Sequence, residues 1–502
     1  MVNKEMLFQQ IMHARSRVYQ VCDPSPLECY RLDNGATLFL KREDLSPIHA
    51  YKWRGAYNMM AAQPKEVLAK GVVAASAGNH AQGIALAAAK LGCRARIFMP
   101  RSVPKMKARE VARHGGANVE IVITGDNYDE SSQAAKKAAQ ESGALYVPAY
   151  DDILVMAGQG TIGDEIIMEA VKPDVAFLQI GGGGLAAGVA CALKTYYPDI
   201  RIVGVEGENQ ASMAAAARNG HPVVLPNIDI FCDGTAVKKA GEVTFEYCRE
   251  LIDEFMTVSN DDVCAAAQVL WETARSMPEP SGAMGVAGFL KRKDEFAGKK
   301  ALAVLTGANM DFSRLSWISR RAGIGLSSTR YFEIKLPERA GAMLDLLVKI
   351  DDLDINIVDF IYGKVDDEGG FPVLGFAVNE TSRAALEKRL TECGFAFQDV
   401  TNREDVAFRI VSCQPSLFKL PYIAIIEFPE RPGALLEFMT QAARFSNICY
   451  FNYANSGEQV GRGLMGFEFE NENDRGMFLE YLETSGPRHH PVSLDVLRYR
   501  QR

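Results

Sequence analysis

The first 320 or so residues alternate short apolar strands with helices, and this alternation constrains the fold more than any other feature. Segments 71–76, 175–180 and 301–305 read as buried strands, and Ala/Leu-rich helical segments follow the first two. Strands that alternate with helices predict a doubly wound, mostly parallel sheet with ligands at the carboxyl ends of the strands. We therefore expect an α/β domain whose functional groups lie in the loops that follow these strands.

The last third of the chain contains an internal repeat. The segment PERAGAML at Pro337 returns as PERPGALL at Pro429, and the pattern N-I-x-x-F-x-Y at 356–362 returns at 447–453. The spacing stays at 91 or 92 residues, which chance does not explain. Each copy predicts a strand, a Pro/Gly turn, a helix, a strand, a hairpin and a strand, as in a small α+β sandwich. We expect domains at 1–326, 329–411 and 417–502.

Composition excludes several classes of function. The net charge is −8 without a basic tract, so nucleic acid is not an expected partner. No apolar run approaches the roughly 20 residues that span a bilayer, and the N-terminus lacks a signal-peptide core. The ten cysteines form no C-x-x-C pair and the chain has seven histidines, which argues against a metal site. We expect a cytoplasmic protein with reduced cysteines and no metal.

Four motifs carry candidate chemistry. Lys52 supplies an amine within the segment HAYKWRGAY, and Thr306 supplies a hydroxyl after the strand at 301–305. Two loops rich in backbone N–H groups, SAGNH at 76–80 and GGGGL at 181–185, each lie between a strand and a helix. An amine can condense with an aldehyde, and backbone N–H groups at a helix N-terminus can hold a phosphate or a carboxylate. Together the motifs favour a pyridoxal phosphate site.

Each motif taken alone has another interpretation. Gly182, Gly184 and Ala187 also fit the dinucleotide fingerprint G-x-G-x-x-A, and Glu206 lies about where a ribose-binding acid would follow. The 76–80 loop could be a plain N-cap, and Thr306 an ordinary hydroxyl at a strand end. The combination decides between them, because a nicotinamide enzyme has no use for Lys52 or for a second anion loop.

The chain resembles the fold-type II pyridoxal phosphate enzymes, and among them the threonine ammonia-lyases that carry two ACT-like regulatory subdomains. The resemblance covers nearly the whole chain and includes three further motifs: KRED at 41–44, AGQGT at 157–161 and EPSGA at 279–283. It implies a catalytic domain with mostly parallel sheets in two lobes, followed by two tandem α+β subdomains.

The resemblance also implies a role for each candidate residue. Lys52 carries the cofactor and acts as the catalytic base, Asn79 hydrogen-bonds the ring oxygen, and Thr306 faces the pyridine nitrogen. The phosphate is held by Gly181, Gly182, Gly183, Gly184 and Leu185. The substrate carboxylate is held by Ser76, Ala77, Gly78, Asn79 and His80.

The implied reaction is β-elimination of water from L-threonine, giving 2-oxobutanoate and ammonia in the first step of isoleucine biosynthesis. L-serine is a possible second substrate, isoleucine and valine are the implied effectors, and Tyr362 and Tyr453 are candidate effector contacts. A homotetramer is implied as well. Ala50-Tyr51 replaces the usual Ser-Phe and Trp53 replaces a smaller aliphatic residue, and these departures around Lys52 concern substrate range. Thr306 replaces a serine, and either hydroxyl can serve there.

Three alternatives remain open to test. A racemase or serine dehydratase of the same fold is the first, but racemases carry a second serine where this chain has Ala77, which has no proton to give. A β-replacing synthase more often has threonine where this chain has His80. A non-catalytic amino-acid sensor built on the repeated subdomains would be expected to lose Lys52, and Lys52 is present.

Overall fold

The computed structural model describes residues 3–336, and beyond these 342–353, 355, 357–361, 371–408, 420–429, 438, 441–442, 444–453 and 460–493. The chain divides into two compact units, Met1–Ala322 and Gly323–Arg502. Within the described residues no helix is both long enough and apolar enough to cross a membrane. The domain limits at 326, 329, 411 and 417 stay predictions.

The first unit is built from thirteen labelled helices and ten strands among the described residues. The helices are α1 (Lys4–Val18), α2 (Trp53–Ala61), α3 (Lys65–Leu68), α4 (Asn79–Leu91), α5 (Lys105–Gly115), α6 (Tyr128–Ser142), α7 (Ile153–Met168), α8 (Gly184–Tyr196), α9 (Ser212–Asn219), α10 (Glu242–Leu251), α11 (Asn260–Ala274), α12 (Pro280–Lys291) and α13 (Leu315–Gly325). The strands are β1 (Leu27–Arg31), β2 (Thr37–Arg42), β3 (Val72–Ala75), β4 (Ala95–Met99), β5 (Val119–Ile123), β6 (Leu145–Tyr146), β7 (Val175–Gln179), β8 (Arg201–Gly207), β9 (Glu254–Val258) and β10 (Lys300–Leu305).

The larger sheet of this unit has the order β1-β2-β10-β7-β8-β9. Only β1 is antiparallel to its neighbour, and the other pairs are parallel. Side chains of β10 alternate between two cores: Leu302 and Val304 pack in one cluster with α7 and α8, while Ala303 and Leu305 pack in another with α11 and α12. Both faces of the sheet are therefore covered by helices, which is why its strands are almost continuously apolar.

The smaller sheet, β5-β4-β3-β6, is parallel throughout. Along β3, Val72 and Ala74 face a core with α2 and α4, while Val73 and Ala75 face a core with α6. The two lobes confirm the predicted fold class of mostly parallel, doubly wound sheets. The predicted strands at 71–76, 175–180 and 301–305 agree with β3, β7 and β10 to within a residue at each end.

The topology brings the functional loops to the carboxyl ends of the strands. Residues 76–80 follow β3, residues 181–184 follow β7, and Thr306 follows β10. The Lys52 segment is tied to the loop after β10, because Ala50 bridges Gly307 and the N–H of Tyr51 donates to the carbonyl of Thr306 at 3.1 Å. The lysine loop and the hydroxyl loop are thus neighbours in space although about 250 residues separate them in sequence.

A buried charge cluster anchors the start of α2. Arg54 Nε and Nη2 each donate to the carboxylate of Glu43 at 2.8 Å, and Nη1 donates to Glu165 of α7 at 2.5 Å. Lys41 of β2 pairs with Glu165 at 2.7 Å, and all four side chains are at most 1% exposed. Burial would raise the pKa of Glu43, but the Arg54 guanidinium outweighs burial and holds the pKa below its usual value. The cluster joins β2, α2 and α7.

The second unit contains two four-stranded sheets whose strands pair antiparallel. Their orders are β12-β13-β11-β14 and β16-β17-β15-β18. The strands are β11 (Thr329–Ile334), β12 (Ile357–Ile361), β13 (Val373–Ala377), β14 (Phe397–Asp399), β15 (Tyr422–Pro429), β16 (Asn447–Tyr453), β17 (Val460–Glu468) and β18 (Arg488–Pro491). The helices are α14 (Ala342–Ile350), α15 (Glu380–Glu392), α16 (Glu404–Phe408) and α17 (Glu472–Thr484).

The two sheets repeat each other in detail. The register shifts between Ile357 and Asp359 in the first sheet and between Ile448 and Tyr450 in the second, at a spacing of 91 residues. The predicted strand, helix, strand, hairpin and strand correspond to β11, α14, β12 and β13 in the first copy. The prediction missed α15 and β14. The described part of α15 buries only Leu386 and Leu390 in an otherwise polar sequence, so its periodicity is a weak signal.

Replacing Arg54 with methionine should destabilise the first unit by about 3–5 kcal/mol, because it leaves Glu43 and Glu165 buried without their shared partner. Thermal or denaturant unfolding of the variant measures the loss. Arg113→Met is the matched control, since Arg113 is more than half exposed and its pair with Glu110 should contribute less than about 1 kcal/mol. Equal losses in the two variants would contradict the prediction.

Candidate active site

Lys52 lies between β2 and α2, at the N-cap of α2. Its Nζ donates a hydrogen bond to the carbonyl of Gly234 at 3.0 Å. Removal from water lowers the pKa of Lys52 below its usual value, although the nearby carboxylate of Glu279 acts in the opposite direction. Lys52 is therefore an amine held at a fixed point with a reduced affinity for protons.

The glycine loop connects β7 to the N-terminus of α8. The carbonyl of Gly182 accepts hydrogen bonds from the hydroxyl of Thr244 at 2.5 Å and from the N–H of Gly241 at 3.4 Å, so it points toward α10. In a trans peptide the following N–H points the other way, and the N–H of Gly183 therefore faces away from α10. Together with the N-terminus of α8, where Leu185 is buried, the loop offers N–H donors to an anion.

Glycine is required at this loop for two separate reasons. Gly183 has a φ of +98°, in the left-handed region that glycine adopts at little cost. A Cβ on Gly182 would lie 2.2 Å from the ring of Tyr150, and a Cβ on Gly181 would lie 2.8 Å from the backbone of Thr235. The loop is therefore closely packed against Tyr150 and Thr235, and its residues fit a phosphate-binding loop.

The position of Glu206 argues against the dinucleotide interpretation of the same loop. Its carboxylate accepts the N–H groups of Met213 at 2.9 Å and Ala214 at 2.8 Å, in the first turn of α9. The side chain is fully buried, and burial raises the pKa of Glu206 to about 7. Glu206 is thus committed to the helix terminus and is not presented to a ribose.

The 76–80 loop leaves β3 and enters α4. The N–H of Gly78 donates to the Ser76 hydroxyl at 3.2 Å, and no atom lies within 4 Å of a Cβ built on Gly78, so this part of the loop faces open space. Ala77 is buried and Ser76 is half-buried. His80 is buried with its Nε2 3.0 Å from the carbonyl of Val147, and burial lowers the pKa of His80 to about 4. The imidazole is therefore neutral at pH 7.

Asn79 is held by hydrogen bonds at both ends of its amide. Its Nδ2 donates to Glu279 Oε1 at 2.6 Å, and its Oδ1 accepts from Asn309 Nδ2 at 2.8 Å. Asn309 also donates to the carbonyl of Ile48, in the segment that precedes Lys52. The amide group of Asn79, in the smaller lobe, is therefore oriented by two residues of the larger lobe, Glu279 before α12 and Asn309 after β10.

Thr306 is buried beneath the site with a defined hydrogen-bond partner. Gln179 of β7 donates through Nε2 to Thr306 Oγ1 at 2.9 Å. The same Nε2 lies 2.9 Å from the carbonyl of Val304, so the amide is fixed in its orientation. Gln179 fills an acceptor position of the hydroxyl, and the Thr306 hydroxyl itself donates to the carbonyl of Ser281 over a long 3.5 Å.

Glu279 belongs to the site, although the sequence analysis gave it no role. Burial raises the pKa of Glu279 to about 7, and the neighbouring carboxylate of Asp233 adds to the effect. Burial would also raise the pKa of Asp233, but Lys107 and Arg314 outweigh it and hold the pKa at about 2. The sequence signal for Glu279 is the EPSGA motif at 279–283. This motif supports the resemblance but does not by itself assign Glu279 a role.

The two effector candidates are not tested by these contacts. Tyr362 lies outside the described residues, and Tyr453 ends β16 with its side chain outside them. Across the described residues, no group of three or more His, Cys, Asp and Glu side chains is arranged to hold a metal ion. The structure brings Lys52, the glycine loop, the 76–80 loop and Thr306 to one end of the two sheets of the first unit.

The fold and this site define a class of protein. Residues 19–307 match the family described as pyridoxal-phosphate dependent enzyme. Residues 320–410 and 419–500 match the C-terminal regulatory domain of threonine dehydratase. These matches confirm the catalytic and regulatory halves expected from the sequence.

Relatives that match most of the chain identify the family more closely. The chain is 37% identical to the biosynthetic L-threonine dehydratase IlvA of Haemophilus influenzae over 92% of this chain and 90% of the relative. It is 36% identical to the Escherichia coli protein of that name, over 90% and 89%. The chain belongs to the family of biosynthetic threonine dehydratases.

Two solved structures resemble the catalytic unit. A processed threonine deaminase isoform 2 from Solanum lycopersicum has a TM-score of 0.61 and 40% identity, and the match covers 64% of this chain and 95% of that one. Maize serine racemase has a TM-score of 0.58 and 30% identity, with 64% and 98% covered.

Replacing Gly182 with alanine should weaken cofactor binding about 10-fold to 100-fold, because the new Cβ meets the Tyr150 ring and moves the loop, an overpacking cost of about 1–3 kcal/mol. Titration of the cofactor-free protein with pyridoxal phosphate, followed by visible absorbance, measures the affinity. The double variant Gly182→Ala/Tyr150→Ala removes the obstruction and should recover most of it. Unchanged affinity in the single variant would show that the loop does not depend on this glycine.

Proposed function

We propose that this chain converts L-threonine into 2-oxobutanoate and ammonia as a pyridoxal phosphate-dependent threonine ammonia-lyase, with L-serine as a second substrate. The observation that carries the proposal is a half-buried amine with a lowered pKa, Lys52, whose Nζ donates to Gly234, while the next residue, Thr235, packs against Gly181 of the glycine loop. Family membership supports the same reaction.

The residues of the site fit pyridoxal phosphate. When the cofactor is bound, the N–H groups of residues 181–185 would hold its phosphate, Asn79 its ring oxygen, Thr306 its pyridine nitrogen and Lys52 its aldehyde. When bound, the cofactor supplies an electron-withdrawing ring that accepts the electron pair left at the substrate Cα. The glycines support the fit, because a Cβ on Gly182 would meet Tyr150 and a Cβ on Gly181 would meet Thr235, so the loop has no room for side chains of its own there.

Lys52 is the base of the reaction. Its lowered pKa favours the neutral form of Lys52 Nζ, which is the form that can remove the Cα proton. The carbonyl of Gly234, which accepts from Nζ at 3.0 Å, orients the amine. The proton that Nζ gains can then be delivered to the departing β-hydroxyl.

The 76–80 loop binds the substrate carboxylate through its backbone. His80 contributes its N–H rather than its ring, because the imidazole is neutral and committed to Val147. Ala77 supplies no hydroxyl, so this position offers no acid that could return a proton to Cα. Elimination is therefore favoured over racemisation. Thr306 presents a neutral hydroxyl to the ring nitrogen and not a carboxylate, which leaves the ring a moderate electron acceptor.

The second unit regulates the first. Its match to the regulatory domain of threonine dehydratases supports control by an amino acid, and we propose isoleucine as the inhibitor, valine as a second effector, and Tyr362 and Tyr453 as contacts. We also propose a cytoplasmic homotetramer. An effector acts only through unequal affinity for two states, so inhibition should make the threonine dependence more sigmoidal.

Replacing Lys52 with alanine should lower turnover of threonine to less than about one part in a thousand, because the variant loses both the covalent attachment and the base. Production of 2-oxo acid and the visible absorbance of the bound cofactor measure the two losses. Lys65→Ala, which removes an exposed lysine of α3, is the control and should behave as the parent protein. Turnover by Lys52→Ala above that limit would contradict the assignment of Lys52 as the catalytic residue.

A truncated chain that ends near Ser327 should keep the cofactor and β-elimination but lose the isoleucine response, because it lacks the repeated subdomains. Initial rates over a range of threonine, with and without millimolar isoleucine or valine, make the comparison. The full-length chain is the control. The regulatory proposal is wrong if the full-length enzyme ignores both amino acids or if the truncated chain is still inhibited.

A further inference from the structure

A short turn of the larger lobe holds the acceptor of the catalytic amine. Residues 231–234, Phe-Cys-Asp-Gly, form this turn, and its last carbonyl, that of Gly234, accepts the hydrogen bond from Lys52 Nζ at 3.0 Å. Any displacement of the 231–234 turn therefore moves the group that orients Lys52.

Arg314 contacts this turn through two of its guanidinium nitrogens. Its Nη2 donates to the carbonyl of Phe231 at 2.5 Å, and its Nη1 lies 3.8 Å from the carboxylate of Asp233. The guanidinium carbon also lies 5.2 Å from the centroid of the Phe231 ring, within the range of a cation–π contact. The Arg314 side chain is buried, where charge-assisted hydrogen bonds are stronger than neutral ones.

A second residue of the same segment packs against the turn. The ring of Trp317 lies 4.6 Å from that of Phe231, centroid to centroid. Arg314 ends the short helix Phe312–Arg314, whose N-cap is Asp311, and Trp317 lies in the first turn of α13. The beginning of α13 thus fixes the 231–234 turn by hydrogen bonding, by charge and by aromatic packing.

Lys107, the other cationic partner of Asp233, has a more limited role. Lys107 of α5 pairs with the Asp233 carboxylate at 2.5 Å, from the smaller lobe. It reaches the turn through this side chain, whereas Arg314 also holds the backbone at Phe231. Arg314 is therefore the better candidate for fixing the position of the Gly234 carbonyl.

We propose that Arg314 is a positioning residue for Lys52, which it orients through the 231–234 turn. Arg314 touches neither substrate nor cofactor, and its effect is on the placement of the amine. The inference rests on the proposed function for its kinetic consequence, although the placement of Lys52 can be measured without turnover.

The test compares Arg314→Gln with Arg321→Gln. Arg321 lies on α13, the helix that follows Arg314, and makes a two-pronged ion pair with Asp261 at 2.5 and 2.6 Å, so its replacement removes a comparable ion pair away from the 231–234 turn. The first measurement mixes cofactor-free protein with pyridoxal phosphate and borohydride, and follows the rate at which the Lys52 peptide gains the reduced adduct. The second measures kcat and KM for threonine, and thermal unfolding checks the fold of each variant.

Arg314→Gln should slow the modification of Lys52 about 10-fold and lower kcat about 10-fold to 100-fold with KM changed less than about 3-fold, on the scale of misplacing a reacting group. Arg314→Lys should recover part of both losses, because it keeps the charge. Arg321→Gln should match the parent chain in both measurements. Equal behaviour of the two glutamine variants, or a change in KM alone, would overturn the proposal.

Two further outcomes also have a defined meaning for the proposal. If Arg314→Gln does not fold, Trp317→Leu is the second probe, and an unchanged rate of Lys52 modification in that variant overturns the proposal. If the parent chain does not turn over threonine, the proposed function fails, whereas a slower modification of Lys52 in Arg314→Gln would still support the positioning role.

Discussion

The arrangement of the two lobes of the first unit depends on the ion pair between Arg54 and Glu43. Arg54 lies two residues after Lys52, and its guanidinium satisfies Glu43, which follows β2, and Glu165 of α7 within a volume that excludes water. Such a cluster cannot shift gradually, because moving one member leaves another charge buried and unpaired. The start of α2 is thereby fixed against the larger sheet, and the amine of Lys52 is placed by a rigid element and not by a flexible loop.

The sequence predicted those parts of the site that depend on local chemistry. Strands β3, β7 and β10 were identifiable because both faces are covered and their residues are nearly all apolar. The glycine loop was identifiable because few other structures require four consecutive glycines. The roles of Glu279, Asp233 and Arg314 were not predictable, because they arise from contacts between residues 46 to 200 positions apart, and a single sequence does not show such pairings.

The same distinction explains the second unit. The repeat was found because its turn and hairpin residues return in register, and the matching bulges at Ile357 and Ile448 show that the backbone follows the same spacing. Helix α15 escaped notice because a helix at the surface of a small sheet needs few buried residues, here Leu386 and Leu390. The elements that were not predicted, α15 and β14, thus bury few side chains, as expected if apolar periodicity is the main signal.

The charges around Lys52 follow from one physical cause. Burial lowers the pKa of the Lys52 amine and raises that of the Glu279 carboxyl to about 7, so both groups are driven toward their neutral forms. Asp233 escapes this effect because Lys107 and Arg314 compensate its charge. A neutral amine is the form that can remove a proton, and removal from water favours that form although the Glu279 carboxylate acts in the opposite direction. Lys107 and Arg314 hold Asp233 ionised and so anchor the 231–234 turn by charge, while removal from water lowers the pKa of the Lys52 amine beside it.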